Sequence, residues 1–228
     1  MLKLELVEAV LARALKGGAD VAEVYAQRAK KRRMKVRQGA LEEALSGLDY
    51  GAGVRLFFGT EVVYAYTNDL TQEGLMEALE TLLRAKGALG KVDEGGKGGL
   101  DFRKATPKGL HAPKVPYGEK DKRYRLERLL EAEAGARIAP AIKQVEASLL
   151  EWEEEVLVAN TEGVFAEEKR VRTRLFVLAV AQDGAEVQTG YSAPGKSVGL
   201  ELFDLYPPKA VGEKAARQAL TNLKARPA

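Results

Sequence analysis

The sequence predicts an α+β fold built as two units, each an antiparallel β-meander packed with flanking helices. Three observations predict it. Strand-period runs recur in both halves and are closed by short turns at Gly59-Thr60 and Asp183-Gly184, the second a strong hairpin signal. Helical spacing of apolar residues opens the chain over Leu4–Lys16 and closes it over Lys209–Ala225. Between the halves, the glycines of Gly95–Gly99 and the prolines Pro107, Pro113 and Pro116 interrupt every periodic pattern.

The first unit, residues 1–87, starts with a helix carrying Leu4, Val7, Leu11 and Leu15 and stopping at Gly17-Gly18. Val21–Ala29 reads as a strand, Lys30–Gln38 as its solvent-facing return in a hairpin, and Leu41–Leu48 as a third strand. Tyr50–Gly53 reads as a turn or bulge. Val54–Phe58 and Val62–Tyr66 are two strands joined around Gly59-Thr60. A helix capped by Asp69 or Thr71 then runs through Leu75, Leu79, Leu82 and Leu83 to Gly87. Residues 88–118 read as a Gly/Pro-rich linker. The second unit, 119–228, begins with a charged helix over Asp121–Ala134, closed by Gly135. Pro140 bars a helix interior, so a strand follows it and continues through Asn160. Thr161-Glu162-Gly163 is a turn; Val164–Glu168, Val171–Gln182 and Glu186–Ser192 are further strands. Val198–Asp204 is irregular or strand, and the closing helix carries Val211, Ala215, Ala219, Leu220 and Leu223.

Composition restricts the chemistry. Lys and Arg number 36 and Asp and Glu 33, a net charge of +3 over 228 residues. So even a balance gives no general attraction to nucleic acid. There is no cysteine, hence no disulfide, thiolate nucleophile or thiolate metal ligand. Apolar runs fall far short of a bilayer span, and Glu5 and Glu8 interrupt any signal-peptide core, so the expected location is the cytoplasm. Abundant Glu, Lys and Arg with few Asn fit a thermophile.

The local candidates are few. A zinc peptidase site needs about three protein ligands, usually His and carboxylate. The one histidine, His111, lies in the linker with no second His or Cys beside it and reads as an ordinary loop residue. Gly90–Gly99 lacks the spacing and context of a phosphate loop. The run Lys30-Lys31-Arg32-Arg33-Met34-Lys35-Val36-Arg37 could bind nucleic acid or an acidic peptide, or be a charged edge that resists aggregation. With no interleaved aromatic to stack on bases, the structural reading is favoured. Glu151, Glu153, Glu154 and Glu155 flank Trp152, and alternate acids on a strand share a face, as acid–base chemistry requires. Trp152 reads as a packing anchor. Arg170, Arg172 and Arg174 alternate along a later strand and could pair with those acids across the sheet. No residue is assigned a catalytic, cofactor-binding or metal-binding role.

Several stretches carry a resemblance. Val145–Leu149, Val156–Gly163, the strand through Arg174 to Asp183-Gly184, and Ala215–Leu223 resemble the TldD/PmbA family of metallopeptidases. So do Gly18–Val24, Gly51–Arg55 and Ala65–Asn68 in the first unit. The resemblance covers nearly the whole chain and is nearer the TldD branch than the PmbA, or TldE, branch. The family's zinc motif, His-Glu-x-x-x-His with a later Cys, has no match here, so no catalytic residue carries over. By resemblance the chain is the non-catalytic front part of a zinc metallopeptidase that degrades unfolded or leader peptides. It would supply chamber wall and contacts to a TldE/PmbA-like partner or to a C-terminal catalytic domain that would hold the zinc. The older family name, modulator of DNA gyrase, does not imply DNA binding. The alternative is a stand-alone module that binds peptides or proteins without catalysis, for instance by adding an extended peptide to a sheet edge. Membrane attachment is not expected, and nucleic acid is disfavoured.

Overall fold

The computed structural model describes residues 1–87, 100–105 and 112–225. It is an α+β structure with one mostly antiparallel sheet. The elements in order are α1 (Leu4–Lys16), β1 (Val21–Arg37), β2 (Ala40–Phe58), β3 (Glu61–Thr67), α2 (Gln72–Ala85), β4 (Arg103–Ala105), α3 (Lys122–Gly135), β5 (Ile142–Asn160), β6 (Val164–Asp183), β7 (Glu186–Ser192), β8 (Gly195–Lys196), α4 (Leu202–Leu205) and α5 (Pro208–Leu223). A 3-10 turn, Tyr117–Glu119, precedes α3.

Two compact units divide the chain, and they are interleaved rather than consecutive. One gathers the described residues of Met1–Ala29, Leu48–Leu110 and Glu154–Lys169; the other gathers those of Lys30–Gly47, His111–Glu153 and Arg170–Ala228. The strands β1, β2, β5 and β6 each contribute residues to both. This corrects the strand assignments. The hairpin expected near Ala29-Lys30 does not exist, because β1 runs unbroken through the basic segment. Leu41–Leu48 and Val54–Phe58 are one strand, with Tyr50–Gly53 inside it. Val164–Glu168 and Val171–Gln182 are likewise one strand. Strand breaks were inferred from lapses in hydrophobic alternation, yet cross-strand hydrogen bonds continue a strand whether or not its side chains are buried.

In the first unit the strand order is β3-β2-β1-β5-β6-β4. The β2–β3 hairpin pairs Phe58 with Glu61 and ends at Ala52 opposite Thr67, as the Gly59-Thr60 turn predicts. Helices α1 and α2 bury Val7, Val10, Leu11, Leu75, Leu79 and Leu83 against Ala22, Val24, Val54, Leu56 and Leu157. Thr71 caps α2 by accepting from Gly74 N–H at 3.2 Å, and satisfies a donor that a helix start leaves open. The described ends of the stretch read as linker are packed. β4 runs parallel to β6, and Phe102 meets Phe165 edge-on at 5.8 Å.

In the second unit, α3 and α5 cover a face made by Val145, Ala147, Leu149, Leu175, Val177 and Ala179. Asp121 caps α3 through Tyr124 N–H at 2.8 Å. The β6–β7 hairpin turns at Asp183-Gly184 as predicted, with Asp183 opposite Glu186. Of Val198–Asp204, residues 198–201 are irregular, as one of the two readings has it, and Leu202–Asp204 open the short α4. A two-residue turn at Gln38-Gly39, both at positive φ, joins β1 to β2. Gln38 tolerates this because it is held on every side: its N–H donates to Val145 O, its Nε2 to Lys143 O, and its Oε1 accepts from Arg137.

Helices α3 and α5 cross with little between them. A Cβ added at Gly212 would sit 2.0 Å from Ala132 O and 2.8 Å from Ala136 N. Backbone cannot yield as a flexible side-chain tip does. Gly212→Val should therefore lower the urea midpoint by the equivalent of about 1–3 kcal/mol or more, a typical overpacking cost. Gly118→Ala, where a Cβ meets nothing within 4 Å, should leave it nearly unchanged.

Candidate functional site: a cationic groove over a buried ion pair

Glu151 on β5 is nearly inaccessible, its side chain 1% exposed, and such a carboxylate persists as an ion only if paired and hydrogen-bonded. Arg125, near the start of α3, supplies the pairing. Its Nε donates to Glu151 Oε1 at 2.5 Å and its Nη2 to Glu151 Oε2 at 3.2 Å. The remaining donors go to Tyr117 O at 2.7 Å, Lys120 O at 2.5 Å and Asp121 O at 3.0 Å. All five guanidinium N–H groups are thus used, in a planar fork that suits Arg and not Lys. Arg32 adds a weaker contact to Glu151 at 3.5 Å and lies over the Tyr117 ring.

Tyr117 is buried, with its hydroxyl 2.7 Å from Arg172 O and 2.8 Å from Thr173 Oγ1. Burial pushes its phenol up to about 12, so it stays neutral and serves as a hydrogen-bonding strut. Thr173 in turn donates to Val198 O at 2.7 Å. Glu201 closes the same region by accepting from the N–H groups of Lys114 and Val115 at 2.9 and 3.0 Å. Burial opposes ionisation of Glu201, but these backbone donors outweigh it and hold the carboxyl below its usual range.

Above this network lies a groove of about 940 Å³ within the second unit. Trp152, Leu150 and Leu45 supply its apolar lining, and Lys31, Arg33, Arg172, Arg174 and Lys196 its charge. A second cavity of about 510 Å³ shares Arg32, Arg33, Leu45, Ser46 and Glu151 with it and reaches Lys120 and Arg125. Lys31 Nζ stands 4.7 Å, and Arg172 Cζ 5.7 Å, from the centroid of the Trp152 ring.

The acids singled out in the sequence are not gathered for catalysis. Glu151 takes Arg125, Glu153 lies 3.7 Å from Arg32, Glu154 accepts from Gln27 Nε2 at 2.5 Å, and Glu155 pairs with Lys169 at 2.8 Å. The Lys169 hydrogen bond holds Glu155 below the usual carboxylate range. The pairing considered for these acids with Arg172 and Arg174 does not form; those arginines lie over Trp152 and Phe176 instead. Half-buried Arg170 is engaged as well. Trp152 is less an interior anchor than a half-buried wall of the groove. The basic run is largely neutralised: Arg33 pairs with Glu43, and Lys35 and Arg37 with Glu42 and Glu146. His111 and Gly90–Gly99 lie outside the described residues. Arg125, Tyr117 and Thr173 were not anticipated from the sequence, and an Arg one helical turn inside a charged helix carries no signal that it is buried.

The zinc of the resembled family can be tested against this donor set. Among the described residues, no group of three or more His, Cys, Asp or Glu side chains could hold a metal ion. The clustered glutamates already have partners, so the described residues do not fit a zinc site. No described helix is long and apolar enough to cross a membrane.

The fold and the groove thus define an α+β scaffold built on one sheet, with a cationic groove in its second unit. The profile described as PmbA/TldA metallopeptidase domain 1 matches residues 22–86, and that of the PmbA/TldA metallopeptidase central domain matches 113–223. The chain belongs to the PmbA/TldD metallopeptidase family. It is 27% identical over 216 residues to the metalloprotease TldD homolog of Haemophilus influenzae, covering 90% of this chain and 43% of that protein. The chain thus spans under half the length of that relative. In fold it is similar to a Bacteroides thetaiotaomicron protein described as a modulator of DNA gyrase, with TM-score 0.77 and 16% identity over 100% of this chain and 52% of that one. It is also similar to TldE from Thermococcus kodakarensis, with TM-score 0.68 and 17% identity over 94% and 47%.

Two outcomes follow. Arg125→Met, which removes the main partner of the buried Glu151, should destabilise the protein by about 3–5 kcal/mol, and denaturant unfolding at pH 7 reads it. Glu201→Gln should cost about 1–3 kcal/mol at pH 7, the worth of hydrogen bonds to a charged acceptor. Because the folded-state value of Glu201 is lowered, its contribution is present above the unfolded value of 4.5 and fades as pH falls through the lower folded one. The gap between variant and parent should narrow in the same titration toward acid.

Proposed function

We propose that this chain is the non-catalytic N-terminal part of a TldD-like zinc metallopeptidase that degrades unfolded or leader peptides. It forms chamber wall and partner contacts, and works in the cytoplasm of a thermophile. The observation that carries the reading is the ordered match of both family domains combined with a donor set unfit for zinc. The metal would sit on a His-Glu-x-x-x-His segment outside these 228 residues, which the TldE/PmbA-like subunit or a C-terminal catalytic domain would bring into place.

A surface suited to such a partner lies in the first unit. Tyr25, Tyr50, Tyr64 and Tyr66 are 41–68% exposed and surround a shallow depression of about 170 Å³. Tyr64 lies flat over Gly53, where a Cβ would come within 2.5 Å of its hydroxyl. Tyrosine offers large, stiff, amphipathic contact area and is enriched at interfaces.

The second reading, peptide binding without catalysis, is favoured by one feature of the second unit. The β2–β3 ladder ends at Ala52, and among the described residues no strand covers that edge of β2 over Ala40–Gly47. An extended peptide could add there through main-chain hydrogen bonds.

Mixing the chain with a TldE/PmbA-like subunit and a polypeptide carrying the zinc motif should give zinc-dependent cleavage of a denatured protein, absent from each component. A Tyr64→Ser/Tyr66→Ser variant should co-purify less well with the partner. Hydrolysis by this chain alone, or unchanged capture by the variant, contradicts the corresponding half of the reading.

A further inference from the structure

The cations of the groove fall into two classes. Arg32 and Arg33 have carboxylate partners. Arg172, Arg174 and Lys196 have none among the described residues; each instead lies over an aromatic ring, Trp152, Phe176 and Tyr206 respectively. All three are exposed. The one acid in the groove lining, Glu151, is spent on Arg125. Arg172, Arg174 and Lys196 therefore bring positive charge to the groove that no carboxylate among the described residues cancels.

Its spacing is specific. Arg172 and Arg174 are alternate residues of β6, so both project from one face about 7 Å apart. An extended peptide repeats its side chains at the same two-residue interval. We propose that this groove binds an extended peptide segment bearing acidic residues at alternate positions. The carboxylates meet Arg172 and Arg174, Lys196 supplies a third charge, and Leu45, Leu150 and Trp152 cover the aliphatic stems. The inference deepens the peptide-handling reading above and rests on it. Nucleic acid fits less well: the lining holds one large aromatic, Trp152, and Lys31 and Arg172 already stand over its ring, which leaves no stacking platform.

Trp152 is the single tryptophan, so its emission reports the groove directly. The full chain would be titrated with a capped peptide of alternating Glu and Thr, with its Gln-for-Glu counterpart, and with a single-stranded oligodeoxynucleotide. The expected result is saturable quenching or shift by the Glu peptide. Its affinity should exceed that for the Gln peptide about tenfold, the sum of a few partly exposed ion pairs, and fall with added salt. Arg172→Gln/Arg174→Gln should sharply reduce that preference, the remainder being due to Lys196; an undiminished preference overturns the proposal. Equal affinity for the Glu and Gln peptides overturns the acidic preference but leaves peptide handling intact. Failure of both peptides overturns both. Tighter binding of the oligonucleotide than of the Glu peptide assigns the groove to nucleic acid and overturns the proposal. Circular dichroism of the double variant separates lost binding from lost folding.

Discussion

The second unit depends on the satisfaction of one buried guanidinium. Taking a carboxylate such as Glu151 out of water costs several kcal/mol, and its Coulombic partner recovers that only with good geometry and no leftover donors. Arg125 meets both conditions because its three other N–H groups close on Tyr117, Lys120 and Asp121. One side chain thereby ties the 3-10 turn, the start of α3 and β5 together. The neighbouring residue on β5 is Trp152, so the same pair fixes the wall of the groove. A hydrophobic pair in its place could be as stable, but it would not anchor three backbone carbonyls whose positions set the cavity's floor.

Charge elsewhere follows a simpler rule. On β1 the basic run faces Glu42 and Glu43 of β2 and Glu146 of β5, so most of its charge is cancelled at short range. Exposed pairs of this kind contribute little stability singly, but charged strand edges discourage unwanted pairing. Arg172, Arg174 and Lys196 differ from that run: each lies over an aromatic ring and has no carboxylate partner among the described residues.

Local signals in the sequence were legible where the physics is local. The turns at Gly59-Thr60 and Asp183-Gly184, the spans of α1 and α5, and a cap for α2 at Asp69 or Thr71 all depend on a few neighbouring residues, and all are readable. The length of the strands was not. Most of β2 from Ala40 to Tyr50 is exposed on both faces, so it has no period to detect, and its continuity comes from hydrogen bonds to a distant part of the chain. Arg125 escaped for a related reason. It sits in a helix whose composition is polar nearly all round, and only the tertiary fold reveals that this Arg is buried while Arg123 two residues earlier is solvent-exposed. Arg172 and Arg174 were visible as an alternating pair, but their partners were not, because cross-strand register cannot be read from either strand alone.

The fold-level and site-level evidence answer different questions. A family shared over both domains fixes how the chain folds, whereas chemistry belongs to side chains placed at atomic distances. Here the two diverge: the architecture is that of a metallopeptidase family, and the described side chains offer partnered carboxylates, a phenol held neutral and a surplus of cations. In the function proposed above, such side chains would supply ground-state recognition, the open strand edge meeting a peptide's main chain and the cationic groove its charge. Binding energy gathered away from the bond to be broken raises a rate only when it positions that bond against the catalytic group. A scaffold of this kind would act by holding extended chains in register with a metal supplied from elsewhere, and the two-residue repeat that β6 shares with an extended peptide is the feature that would set that register.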